Sequence, residues 1–159
     1  MTETPTWTWP EPPEGWAPEL RQDFIANAGN GNVGTRLVSE TERVRVWHLS
    51  LEPRERIGFH THVLDYFWTA MTSGKARSHY GDGEIREVSY AAGDTKHHVY
   101  APGEFMTHDL ENIGDTPLIF ATVEFLHSAN APLEVEASES ALVAGIVSAG
   151  RSPPRITGN

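Results

Sequence analysis

His60-Thr61-His62 is the most chemically loaded spacing in this sequence of 159 residues. Alternate residues of a strand share a face, so in an extended segment both imidazoles point the same way. Continuing that register through a strand over 62–71 places Leu64, Tyr66, Trp68 and Ala70 on the histidine face and Asp65, Phe67 and Thr69 on the other. Two imidazoles side by side in an apolar interior need hydrogen-bond partners or a shared cation, because burying them unpaired costs free energy. A metal ion serves both with one atom. An exposed or hydrogen-bonded pair is the alternative, and the spacing alone decides for neither. Six further histidines stand at positions 48, 79, 97, 98, 108 and 127. Of the neighbours His97 and His98, one must face inward if they lie on a strand. Arg77 and His79 share a strand face, where they either meet an anionic substrate or sit in solvent. His48 and His127 fall near strand ends.

The elements that must position these residues are short. Between 35 and 125, runs of β-branched and aromatic residues alternate with Gly, Asp and Pro: 43–51, 62–71, 76–80, 84–90, 95–100, 106–110 and 117–126. Tyr80-Gly-Asp-Gly-Glu84 is a hairpin signal. Seven or more such strands predict a sandwich or barrel over 35–127. Ahead of it, residues 1–34 read as an extended arm and a short helix. Four prolines before Ala17 deny the arm regular structure, and its Trp7, Trp9 and Trp16 call for packing on the body or on a partner subunit. The helix is expected over 18–28, with Leu20, Phe24 and Ile25 on one side, ended by the turn-rich segment 27–34. Residues 128–159 form a small, polar tail with a short helix expected over 139–148.

The chemistry is further bounded by composition. A net charge of −10 opposes phosphate backbones and anionic lipid, so neither nucleic acid nor membrane is expected as a partner. The absence of cysteine removes disulfides, thiolate zinc sites and cysteine nucleophiles. The first sixteen residues lack the basic and apolar regions of a signal peptide, and no stretch approaches a membrane span, so a cytoplasmic domain is expected.

With these residues in place, the sequence resembles the cupins over about residues 43–126. Their first motif is matched by His60-Thr61-His62 followed by Asp65-Tyr66, with Gly74 near the closing glycine. The second is matched by Gly93-Asp94, Pro102-Gly103 and His108 through Asn112. The resemblance implies an all-β jelly-roll barrel holding one divalent metal on His60, His62 and a third residue. Two departures bear on the ligand set. Arg54 replaces the first motif's opening glycine, and Tyr66 replaces its glutamate ligand. A phenol is a poor ligand at neutral pH, so a three-His set is implied, with Tyr66 and Trp68 lining the substrate pocket. Gly93 and His108 are also farther apart than the family's spacing. Strict counting lands on Glu104, a two-His-one-carboxylate set. Anchoring on the His-x3-Asn half selects His108, which is the preferred third ligand.

The resemblance implies a small-molecule enzyme, with an Fe(II) dioxygenase cleaving a β-dicarbonyl or catechol-like substrate as the leading reading. Tyr66 would hydrogen-bond the reacting oxygen, His98 would act as a pocket acid/base or fourth ligand unless it belongs to a surface pair, and Arg77, if inward, would neutralise an anionic substrate. Zn, Mn or Ni would instead support a lyase, isomerase or hydrolase, since imidazole suits all of these ions. A non-catalytic binding barrel is the reading from another class. Small cupins pair through arms like 1–34, so a homodimer is implied as well.

Overall fold

The computed structural model describes residues 6–135. One helix, α1 (Pro18–Asn27), precedes nine strands: β1 (Arg36–Glu40), β2 (Val44–Leu51), β3 (Arg56–His62), β4 (Tyr66–Ala70), β5 (Gly74–His79), β6 (Ile85–Tyr90), β7 (Thr95–His98), β8 (Met106–Asn112) and β9 (Leu118–Phe125). They form two antiparallel sheets, ordered β1-β2-β9-β4-β7 and β3-β8-β5-β6. From β2 onward the chain crosses to the other sheet after almost every strand; only β5 and β6 are consecutive in one sheet. This is the all-β jelly roll expected from the sequence.

The inward residues follow the period of two. Leu49, Leu51, Ala70, Ala76, Leu110, Leu118 and Phe120 are buried together as an apolar plug, with Trp68 and Tyr90 packed against it. Burying side chains of this size stabilises the fold by roughly 1.5–3 kcal/mol each. A second cluster, Val33, Leu37 and Trp47, lies under Val135.

Two breaks in regularity decide where the histidines point. In β3, Ile57 pairs with Leu110 and His60 with His108, so two residues, Gly58 and Phe59, oppose Asp109 alone. A strict alternation cannot put positions 57 and 60 on one face; a β-bulge can. Gly58 sits in this bulge, where a Cβ would lie 3.1 Å from both carboxylate oxygens of Asp23. The second break corrects the single strand expected over 62–71. Pairing stops at His62 and resumes at Tyr66 in the other sheet. The corner is held by Asp65, whose Oδ1 accepts the Tyr100 N–H (3.0 Å), whose carbonyl accepts the Phe125 N–H (2.8 Å) and whose own N–H donates to Ser128 Oγ (3.0 Å).

Helix α1 begins with Pro18 at its first turn, where the missing N–H is no loss, and packs across β3. Phe24 is fully buried but Ile25 is exposed, which corrects the expected three-residue apolar face: about 100° of helical rotation carries position 25 off the buried stripe. Trp16 stacks on Phe59 (5.4 Å between centroids), and Trp7 stacks on Trp9 with both edges against Phe105. The arm thus packs on its own body. The helix expected over 139–148 lies outside the described residues.

Candidate metal centre

His60 and His62 from β3 and His108 from β8 meet inside the barrel, with one ring nitrogen from each lying within 4.8 Å of the others. Both β3 histidines are almost fully buried. The tautomer of His60 follows from its partner: Nδ1 donates to the Gly58 carbonyl at 2.9 Å, leaving Nε2 as a bare lone pair. His62 Nε2 and His108 Nε2 stand 3.1 Å apart, while the Nδ1 atoms of both rings are buried without a partner among the described residues. Burial, then the neighbouring imidazoles, pushes the pKa of His62 and His108 well down. Burial lowers that of His60 too, against the pull of its Gly58 bond. All three rings are therefore neutral at neutral pH, the state in which imidazole binds a metal.

The facing sheet supplies the wall. Tyr66 lies parallel to His62 (4.2 Å between centroids) and to His98 on its other side (4.7 Å). Burial, then neighbouring Tyr100, raises the Tyr66 phenol well above its ordinary value, so it stays an O–H donor. His98 is half-buried, and burial followed by Lys96 lowers its pKa. These residues line a cavity of about 260 Å³ with Trp68, Tyr80, Tyr90 and Phe120, small for the ligand pockets of proteins and suited to a metabolite.

Not every candidate joins the cavity. Ala76 and Ser78 take the inward positions of β5, so alternation turns Arg77 and His79 outward. Arg77 pairs there with Glu87 (2.7 Å) and Glu111 (3.6 Å), which corrects its role as an inward anion partner. His79 Nδ1 meets Asp109 at 3.0 Å. Glu104 lies on the exposed turn before β8, its Oε2 accepting the Ala101 N–H at 2.8 Å, and is not among the three converging groups. His97 faces away, against Phe67.

Sequence reasoning missed several residues. The bulge at Gly58 had one local signal, a lone glycine inside a strand pattern. Glu124 was legible as a strand-interior acid, two residues beyond Thr122 on the inward face. It is buried with Oε1 accepting the Trp47 Nε1–H at 2.7 Å, and burial pushes its carboxyl up to about 7. Tyr80 and Lys96 are also cavity-lining residues that sequence alone did not single out.

No protein-family model matches the chain. It is 32% identical over 102 residues to oxalate decarboxylase of Bacillus subtilis (strain 168), an alignment covering 63% of this chain and 24% of that protein; the chain thus spans about a quarter of its relative. A solved protein with a double-stranded β-helix domain from Klebsiella pneumoniae subsp. pneumoniae MGH 78578 is 30% identical, over 62% of this chain and 81% of that one, with a TM-score of 0.46. A cupin domain from Bordetella pertussis Tohama I is 26% identical, over 54% of this chain and 84% of that one, with a TM-score of 0.48. In its two-sheet jelly roll and its converging histidines the chain is similar to these proteins. Within that fold, the position expected for a glutamate ligand holds Tyr66, which adds a stacked phenol beside the imidazoles rather than a carboxylate. Among the described residues no helix is long and apolar enough to cross a membrane.

Proposed function

We propose that this protein is a cupin and a metal-dependent enzyme for a small molecule, its divalent ion held by His60, His62 and His108. The observation that carries the reading is the convergence of three neutral imidazoles, two buried and one partly so, with the Nε2 atoms of His62 and His108 only 3.1 Å apart and their Nδ1 atoms without a partner among the described residues. Buried polar groups are ordinarily satisfied, and three converging lone pairs are satisfied by a cation. When bound, such an ion retains its full charge and open positions, supplying Lewis acidity or, as Fe(II), oxidative chemistry with dioxygen.

The chain's own residues support the rest. The Tyr66 ring stacks on His62 and on His98, and its protonated O–H is available to donate to a developing oxyanion. Neutral, half-buried His98 is placed to hold or move a proton. Trp68, Tyr90 and Phe120 exclude water from one side. With all-imidazole ligation, the leading reaction is an Fe(II) dioxygenase acting on a β-dicarbonyl or catechol-like compound. The similarity to oxalate decarboxylase supports a second reading, a carbon–carbon lyase using the same ion without net oxidation.

Elemental analysis of protein purified without added metal, beside His60→Ala/His62→Ala, tests the centre. About one equivalent of metal per chain, lost in the variant, is expected. Iron with oxygen uptake on β-dicarbonyls supports the dioxygenase. Manganese with carbon dioxide release from a carboxylic acid and no oxygen uptake supports the lyase. No metal in either sample overturns both.

A further inference from the structure

The cavity reaches the surface between β6 and β7, the edges of different sheets. Three charged residues line that opening besides His98: Arg86, Asp94 and Lys96. Two are already engaged. Arg86 is bound to Glu84 by two short contacts, 2.8 and 2.6 Å, and its guanidinium lies 4.8 Å over the Tyr80 ring. Asp94 Oδ2 accepts the Ala91 N–H at 2.9 Å, closing the turn before β7. The Lys96 ammonium has neither a hydrogen bond nor an ion pair among the described residues. On a chain of net charge −10, a free ammonium at the cavity entrance is the place where an anion is attracted rather than repelled.

Register fixes where this cation lies relative to the histidines. On β4 and β7, Tyr66 pairs with His98 and Trp68 with Lys96. The Tyr66 row carries the stack onto His62, so the Lys96 row is two residues further along, about 7 Å. Trp68, Tyr90 and Phe120 wall the interval, packed edge to face.

Resting on the reading of the three histidines as the reacting centre, we propose that Lys96 anchors a carboxylate at the far end of the substrate. The substrate's apolar middle lies against Trp68 and Tyr90, and its other end meets the histidines. A single ammonium without further donors suits a carboxylate better than a phosphate dianion, which is ordinarily held by several N–H groups. A two-carbon diacid has no apolar middle and cannot span the interval. Lys96 is thus a specificity-determining residue, and the substrate class is a small aromatic or branched-chain acid.

The test is calorimetric titration with phenylacetate and with phenylacetamide, which share a shape and differ in charge. Both the protein as purified and chelator-treated protein are used, so that a carboxylate binding an ion is separated from one binding Lys96. Phenylacetate is expected to bind about fivefold more tightly than the amide in both samples. Lys96→Met should remove the difference and Lys96→Arg retain it, with metal content unchanged in each. Equal affinity in the wild type, no binding of phenylacetate, or a preference that survives in Lys96→Met overturns the anchor. A preference that persists in wild-type protein found to hold no metal supports the anchor while the reading of the histidines fails.

Discussion

The two faces of strands β3 and β8 both carry buried or partly buried polar groups and treat them in opposite ways. On the outward face, beneath α1, Asp109 is fully buried and accepts bonds from Arg56 Nε (2.8 Å), the His79 N–H (2.5 Å) and His79 Nδ1 (3.0 Å). Arg56 continues to Asp23 at 2.7 Å, and Thr61 bonds both the Ala28 carbonyl and Thr107. On the inward face, one residue away in sequence, His108 and His62 keep buried Nδ1 atoms without partners and share only one short contact. A satisfied buried network is framework, whereas an unsatisfied one is a place kept for something else. The difference separates the part of this barrel that holds the fold from the part available for chemistry.

The sharpest way to break that comparison is Arg56→Met. It removes the cation from a fully buried carboxylate, leaving Asp109 with only its His79 bonds. The expected loss is about 3 kcal/mol, below the upper range for buried pairs because Arg56 is itself about a third exposed. Urea unfolding measures the loss, and elemental analysis of the folded protein should show unchanged metal. Metal lost in proportion to stability would mean that the outward face also sets the geometry of the inward one.

Much of this was legible in sequence because it rests on local periodicity. The period of two showed the strands, put His60 and His62 on one face and gave Tyr66 and Trp68 an inward aspect. What escaped depends on partners distant in sequence. The bulge at Gly58 exists because Ile57 and His60 must both meet β8; the glycine hints at an irregularity, but only the pairing with β8 fixes its register. The corner at 63–65 is masked because Val63 and Leu64 are buried whether or not the strand continues, and only Asp65 interrupts the apolar run. Arg77 and His79 were placed on a common face, but only the position of Ala76 in the apolar plug tells which face is inward.

Glu124 tests whether an inward polar group with a partner behaves as framework. Its carboxyl, lifted from 4.5 to about 7 by burial, binds a proton more readily folded than unfolded. Stability from this group is therefore fully present below about pH 4.5 and lost as pH rises toward 7. Glu124→Gln keeps an oxygen for the Trp47 indole and removes the titration. It should add about 2 kcal/mol near pH 8 and little near pH 4.5, as read by chemical unfolding across that range. The histidines work in the other direction: held neutral below their ordinary value, they cost stability as pH falls through about 6.5. That acid limb should persist in the Gln variant, so a variant that also flattened it would tie Glu124 to the histidines.

The smallest effect is expected at Tyr66, where framework and chemistry share one side chain. Its ring is sandwiched between His62 and His98, and Phe preserves that stack while deleting only the hydroxyl. Stability and metal content should therefore hardly change in Tyr66→Phe. If the phenol donates to an oxyanion during turnover, kcat should fall about tenfold with KM unchanged, a loss of the size of one hydrogen bond made in the transition state. Because the phenol stays protonated well above pH 10, the residual activity should keep the wild-type pH profile. A fall in metal content instead of kcat would place Tyr66 with the ligands, and unchanged kcat would leave it as a wall of the cavity and nothing more.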